Sequence, residues 1–229
     1  MKSIAVLDTG ADISTDFAAL SAISKVTSIQ LSEDDQDINL LSSVFLSHSS
    51  LLEKFSSSYA LNLTKVKAED ISTVTSFDNL NTLTVEDTSS NIGTTFSQIR
   101  NLGTSLTSIA ITNPSVPVNI TYSEWAGAGD LFSKITTSYS LKLEEVSAAD
   151  ASSITTTDAN IAEFNVSDTS ENISAFWDDL VAQYSNGTGK LKDVVSSDSR
   201  PLLLTESQIT AGEAVLTAFF QDFAVTTVE

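Results

Sequence analysis

A short motif that opens with Asp-Thr occurs three times in the chain, at Asp8–Ile13, Asp87–Ile92 and Asp168–Ile173. The first residues of these three copies are separated by 79 and 81 positions. Repetition at a nearly fixed period indicates that one structural unit recurs along the chain and that its copies stack on one another. Any fold proposed for this chain must therefore give the three segments the same local structure.

Each motif is followed by apolar residues at offsets of four and seven from its isoleucine, a spacing that places them on one face of an α-helix. These residues are Ile13, Phe17 and Leu20; Ile92, Phe96 and Ile99; Ile173, Trp177 and Leu180. An apolar, β-prone run precedes each motif. The sequence therefore predicts a strand, an Asp-Thr corner and a helix in every copy, with the corner capping the helix. The corner residues are Asp8, Thr9, Asp87, Thr88, Asp168 and Thr169.

The rest of each copy predicts two more strand-helix units. Further strands are expected at 27–31 and 107–111, at 38–41, 118–121 and 202–205, and at 59–63 and 139–143, with Val194 and Val195 as a degenerate member. A second helical pattern places apolar residues at offsets of seven and ten from the first: Phe45, Leu52 and Phe55; Trp125, Phe132 and Ile135; Ile209, Leu216 and Phe219. We expect Trp125, Phe132 and Ile135 to be buried together with the residues of the first helical face.

Strands and helices that alternate along a chain are typical of parallel sheets covered by helices. Because the units are short and numerous, the sequence predicts an α/β fold, a right-handed β-α solenoid with a parallel sheet. Its shape would be similar to that of leucine-rich repeats, although their asparagine ladder is absent. Residues 1–229 would form one segment of three repeats, at 1–82, 83–160 and 161–229, the last incomplete. Neither end carries a polar capping unit, so we expect the segment to belong to a longer array.

The charge balance of the chain restricts its partners. The formal net charge is −19, from 30 acidic and 11 basic residues. Nucleic acids and anionic membrane surfaces are therefore disfavoured, because binding them requires clustered Lys and Arg. The chain has no cysteine, which excludes disulfides and thiol chemistry. No apolar run reaches the roughly eighteen residues of a membrane span.

Several motifs together resemble the repeats of very large secreted surface proteins of bacteria, the group that includes RTX-type adhesins and S-layer-like proteins. They are V-x-D-T-x-x-N-I, L-T-S-I-x-[LI]-[ST] and Y-x-L-x-L-x-x-V-x-A-x-D. The resemblance implies a non-catalytic structural segment of an extracellular or cell-surface protein, such as an adhesin stalk or a surface layer. The implied partners are neighbouring repeats, other copies of the chain, or a surface glycan or protein. The glycine-rich calcium nonapeptide of RTX proteins is absent, so type I secretion is implied by the resemblance alone.

Two alternative functions have sequence support. A glycan- or protein-binding module would use its variable loops, of which Glu33–Asp37 and Asn186–Gly189 are the candidates. Asp8-Thr9-Gly10 after Ala5–Leu7 matches the active-site signature of retroviral-type aspartic proteases, in which two carboxylates share a proton. The same corner recurs without glycine in the other copies, and the apolar-apolar-Gly element of such proteases is missing. We therefore expect the chain not to be an enzyme.

The densest acidic run, Glu33, Asp34, Asp35 and Asp37, is the tentative metal site. Loop carboxylates are ligands for Ca²⁺, the single cofactor that we consider, but EF-hand spacing is not met and a solvated loop is favoured. His48 is the only histidine, which excludes histidine-based triads and multi-histidine metal sites. Trp125 and Trp177 could stack on sugars, but their helical register favours the core.

Overall fold

The computed structural model describes residues 2–32, 37–154, 159–220 and 223–229. The chain forms two compact units, Met1–Asn113 with Asp130–Ser138, and Pro114–Gly129 with Tyr139–Glu229. Among the described residues, no helix has the length and apolar character needed to cross a membrane.

The described residues contain twelve strands and ten α-helices. The strands are β1 (Ile4–Asp8), β2 (Val26–Leu31), β3 (Asp37–Leu41), β4 (Ala60–Val66), β5 (Leu80–Asp87), β6 (Leu106–Ile111), β7 (Val118–Thr121), β8 (Leu141–Val146), β9 (Ile161–Asp168), β10 (Leu191–Ser196), β11 (Leu202–Leu204) and β12 (Val225–Thr227). The helices are α1 (Gly10–Ala22), α2 (Ser42–His48), α3 (Ile71–Val74), α4 (Ser89–Thr94), α5 (Phe96–Asn101), α6 (Tyr122–Ala126), α7 (Ser170–Ala175), α8 (Trp177–Ser185), α9 (Glu206–Ala211) and α10 (Glu213–Phe219). Short 3-10 turns occupy Ser49–Lys54, Ala68–Asp70, Gly103–Ser105, Leu131–Lys134 and Ala151–Ser153.

All strand pairs of the described residues are parallel. The first unit contains a β1-β2 pair and a four-stranded sheet in the order β3-β4-β5-β6. The second unit contains a four-stranded sheet in the order β10-β9-β8-β7 and a β11-β12 pair. The prediction of an α/β fold with parallel sheets is therefore confirmed.

The four-stranded sheets combine strands from successive copies of the sequence repeat. In the first unit, β3 and β4 come from the first copy, and β6 and all but the first three residues of β5 come from the second. The pair β4-β5 joins the two copies, with Leu63 opposite Leu83 and Val66 opposite Val85. The pair β8-β9 joins the second and third copies in the same way. A junction between copies is therefore a parallel strand pair inside a sheet.

The apolar face of the first helical segment lies in the core, as the sequence predicted. This segment is α1 in the first copy, α4 with α5 in the second, and α7 with α8 in the third. Phe17, Phe96 and Trp177 occupy equivalent positions in the three copies and are all buried. The positions before and after them are buried as well, apart from Leu20, which is half-buried. The apolar stripe is therefore the surface by which each helix packs on its strands.

The predicted burial of the second helical pattern is wrong at three positions. Trp125, Phe132 and Ile135 are half-buried. The long helix assumed by that pattern does not form: α6 ends at Ala126, with Gly127 as its C-cap, and a 3-10 turn begins only at Leu131. A 3-10 turn has three residues per turn, so offsets of seven and ten no longer share one face. Ile135 instead makes an isolated parallel bridge to Ile109 in β6.

The third copy accommodates its larger aromatic residue through a glycine. The Trp177 indole Nε1–H donates a hydrogen bond of 3.0 Å to the Gln208 carbonyl oxygen. A Cβ atom on Gly212 would lie 2.5 Å from atoms of the indole ring. The φ of Gly212 is −99°, which any residue can adopt. The need for glycine at this position is therefore steric.

We expect Gly212→Ala to lower the free energy of unfolding by about 1–3 kcal/mol, because the added methyl group overpacks a closely packed site. Introducing the same change in a Trp177→Phe background removes the atoms that the methyl group would meet. Chemical denaturation of the wild type, both single variants and the double variant gives the coupling free energy. An equal cost of Gly212→Ala in the two backgrounds would contradict the steric explanation.

Candidate functional site

The Asp-Thr corners begin the first helix of each copy, and in all three the threonine occupies the N-cap position. The threonine Oγ1 accepts a hydrogen bond from the backbone N–H three residues later, which satisfies one of the free donors of the first turn. The three bonds are Asp12 N–H to Thr9 (3.1 Å), Asn91 N–H to Thr88 (3.3 Å) and Asn172 N–H to Thr169 (3.2 Å). The threonine, rather than the aspartate, is therefore the direct cap.

The aspartate of the second corner connects three segments of chain. Asp87 Oδ1 accepts from the Thr88 backbone N–H at 2.7 Å and from the Asn91 side-chain amide at 2.9 Å. Its Oδ2 accepts from the backbone N–H of Ala68 at 2.9 Å. Ala68 begins the 3-10 turn Ala68–Asp70, which follows β4 in the preceding copy. One buried carboxylate therefore joins the helix start of one copy to the turn of the copy before it.

The third corner repeats this arrangement. Asp168 Oδ1 accepts from the Thr169 N–H at 2.8 Å and from the Asn172 side-chain amide at 2.7 Å. Asp168 Oδ2 accepts from the Ala148 N–H, 3.0 Å away. Ala148 also lies just after the strand that pairs with the corner's own strand, here β8 with β9. Both junctions that the structure describes between copies are therefore held by the same carboxylate contact.

The first corner differs, since in the described part of the chain the Asp8 carboxylate accepts only from the N–H of Thr9, at 2.9 Å. Asp8 is exposed, whereas Asp87 is buried. Thr9 also donates its hydroxyl to Asp12 at 2.7 Å. The protease-like letters Asp8-Thr9-Gly10 thus form a strand-to-helix corner of the same local type as the two without glycine.

Hydrogen bonding controls the ionisation of Asp87. Burial on its own would raise the pKa of this carboxyl group. The opposing contributions are donation from the N–H groups of Ala68 and Thr88 and from the Asn91 amide, together with the nearby positive charge of Lys67. Their combined effect outweighs burial, so the pKa of Asp87 is lowered from its ordinary value of 3.8. The site therefore favours the charged carboxylate.

In the second and third copies, a loop residue after β6 or β10 accepts a hydrogen bond from a backbone N–H at the start of the first helix. The N–H of the buried Ser89 donates to the Asn113 side-chain oxygen at 2.6 Å. In the third copy the N–H of Ser170 donates to Asp198 Oδ1 at 3.0 Å. That bond is the main reason why the pKa of Asp198 is lowered from 3.8 to about 2. Glu33, at the equivalent place in the first copy, lies outside the described residues.

Side chains on the exposed face of the first four-stranded sheet form a row across three strands. The Asn62 side-chain amide donates to Asn39 Oδ1 at 3.1 Å. Asn62 Oδ1 in turn accepts from the Asn81 amide at 3.1 Å and from the Thr82 hydroxyl at 2.7 Å. These side chains therefore meet across neighbouring strands. The reason is that parallel pairing places Asn39 directly beside Asn62, and Asn62 beside Thr82.

The equivalent face of the second four-stranded sheet carries charged residues. Lys142 Nζ lies 2.9 Å from Glu144 Oε1 on the same strand. This hydrogen bond raises the pKa of Lys142. Asn165 donates its amide to Glu144 Oε2 at 2.7 Å. Two sheets of the same topology therefore expose different chemistry.

The remaining predicted site residues do not come together in the part of the chain that the structure describes. Glu33, Asp34 and Asp35 of the tentative calcium site lie outside the described residues, and Asp37 is the exposed first residue of β3. Within the described ranges, no group of three or more His, Asp or Glu side chains could hold a metal ion. His48 is half-buried, with its Nδ1 2.9 Å from Ser21 Oγ.

No protein-family model, curated protein or solved structure matches this chain.

Proposed function

We propose that this chain is a non-catalytic structural segment, a β-α solenoid similar in shape to leucine-rich repeats, within an extended array of repeats. The observation that carries the proposal is the contact made by Asp87 and repeated by Asp168, which couples each copy to the one before it. A contact that recurs at every junction allows copies to be added without redesign of their surroundings. Parallel pairing at the same junctions, β4 with β5 and β8 with β9, supports the same conclusion.

The location we propose is extracellular or at the surface of a bacterial cell, in an adhesin stalk or a surface layer. The support is the resemblance of the repeat motifs to those of large secreted surface proteins, together with the absence of cysteine. The net charge of −19 would keep such a segment soluble through mutual repulsion. Antibody labelling of intact cells that produce the parent protein would measure this location directly.

A binding module is the second candidate function. The observation in its favour is the row of exposed Asn39 and half-buried Asn62 and Thr82, whose amides and hydroxyl lie in line across a sheet. Amide and hydroxyl groups in such an arrangement are suited to polar ligands such as glycans. A binding screen against surface glycans, with Asn62→Ala as the control variant, separates this function from a purely structural one.

Deleting Leu80–Asn160 tests the structural proposal, because it removes one whole repeat in register. The carbonyl groups of Asn79 and Asn160 accept from the equivalent residues Leu61 and Leu141, so the deletion joins matching positions. We expect the shortened chain to fold cooperatively, with a smaller maximum dimension in solution scattering. β4 would then pair with β9, and Asp168 would accept from Ala68.

The matched control removes one further residue, Leu80–Ile161. That deletion shifts the register of β9 by one position and directs its apolar residues to the opposite face. We expect this control to be unfolded or strongly destabilised. Loss of folding in both deletions would argue against stacked, interchangeable repeats.

A further inference from the structure

The outer edge of β1 differs from the matching edges of β5 and β9. Each of those two strands pairs on both sides, whereas β1 pairs only with β2 among the described residues. Ile4 is 41% exposed, and the equivalent Leu83 and Phe164 are 1% and 0% exposed. The first copy thus exposes positions that the other copies bury.

Two backbone donors face this open edge. Ile4 N–H donates to Lys25 O, and Asp8 O accepts from the N–H of Ser32, so both residues face β2. Because backbone groups alternate sides along a strand, the N–H groups of Ala5 and Leu7 point away from β2. An edge of this kind can accept one more strand.

The corner and the helix behind β1 are open on the same side. Asp8 lacks the third donor that Ala68 supplies to Asp87 and Ala148 supplies to Asp168. Leu20 is half-buried, while its equivalent Ile99 is fully buried in α5, which packs against the short helix α3 of the preceding copy. In the first copy, the strand, the corner and the helix therefore all lack contacts that the strand-and-turn segment of the preceding copy makes in the other copies.

We propose that the β1 edge is a docking site for a strand-and-turn segment of the same repeat type, which pairs parallel to β1 and caps Asp8 with a backbone N–H. The proposal rests on the structural function proposed above and names the partner of its first repeat. The partner's chemistry is that of Tyr59–Asn79: alternating apolar residues, and then a turn that begins at a small residue. Ala68 and Ala148, the residues that begin the two internal turns, are fully buried, which is why a small side chain is required.

The decisive experiment adds this segment to the intact chain. A second copy of Tyr59–Asn79 is fused directly before residue 1, which retains the spacing between Asn79 and the corner Asp87. We expect amide hydrogen exchange at Ala5 and Leu7 to slow by at least about tenfold in the fusion, because both N–H groups gain carbonyl partners. Asp8→Ala should accelerate exchange at these amides in the fusion and leave it unchanged in the original chain.

The control fusion carries Leu61→Asp and Leu63→Asp in the added segment only, and we expect it to leave Ala5 and Leu7 unprotected. Equal exchange in the two fusions would overturn the proposal. Protection that rises with protein concentration in the unfused chain, and does not increase on fusion, would assign the edge to a second copy and also overturn it. The deletion of Leu80–Asn160 could fold while the fusion leaves hydrogen exchange at Ala5 and Leu7 unchanged. In that case the proposed structural function stands and this inference alone fails.

Discussion

Replacing Phe96 by alanine is expected to lower the free energy of unfolding by about 3–5 kcal/mol, the usual cost of removing a buried aromatic ring and leaving a cavity. Phe96 is 2% exposed and begins α5. Its ring centroid lies 5.7 Å from that of Phe132, so the cavity would be lined by other apolar groups. Chemical denaturation followed by circular dichroism measures the change.

Leu203→Ala is the matched control for this prediction. Leu203 also lies in a regular element, the strand β11, but it is 51% exposed. Its replacement should change the free energy of unfolding by no more than about 0.5 kcal/mol. If Phe96→Ala cost as little as Leu203→Ala, the packing assigned to the first helix would be wrong.

The strands and first helices could be predicted because their apolar residues follow a simple period that recurs in every copy. Ile92, Phe96 and Ile99 have helical spacing, and all three are buried. In the strands, alternation placed Leu61 and Leu63 on the buried face. Burial in these elements follows from backbone periodicity alone, which a sequence displays directly.

The second helical region could not be predicted because its backbone changes type within a few residues. In the second copy an α-helix ends at Ala126 with Gly127 as its C-cap, Gly129 adopts a φ of +57°, and a 3-10 turn follows at Leu131–Lys134. Glycine readily adopts positive φ, which ends regular helical hydrogen bonding. The glycines were the available signal, and the recurring offsets of seven and ten concealed it.

The junction contact was predicted only in part. Motif spacing identified Asp87 and Thr88 as a cap, but the bond to Ala68 depends on which strands become neighbours. The sequence did carry a signal, since Ala68 and Ala148 lie at the same distance after the strands β4 and β8, which form the two junctions with the following copies. A small residue repeated at a turn indicates close packing, here beneath the carboxylate of the next copy.

Replacing Asp87 by alanine is expected to cost about 2–4 kcal/mol in the free energy of unfolding at neutral pH. The change removes the acceptor of three hydrogen bonds and leaves donors, including the Ala68 N–H, without a partner in a buried place. The matched control is Asp8→Ala, at the equivalent corner. The Asp8 side chain is exposed and, among the described residues, is bonded only to the N–H of Thr9, so its loss should cost less than about 1 kcal/mol.

The pH dependence of the Asp87→Ala effect tests whether the charge of the carboxylate is responsible. Because folding lowers the pKa of Asp87 below 3.8, the carboxylate contributes its full stability above that value and loses it as the pH falls through the folded-state pKa. The difference in unfolding free energy between wild type and Asp87→Ala should therefore be constant from about pH 7 to 5 and shrink below about pH 4. Protonation of Asp198, whose pKa is about 2, also destabilises both proteins as the pH falls. Because both proteins contain Asp198, its contribution cancels in the difference. A difference that stayed constant down to pH 2 would show that the aspartate joins the two copies by its shape alone, without any contribution from its charge.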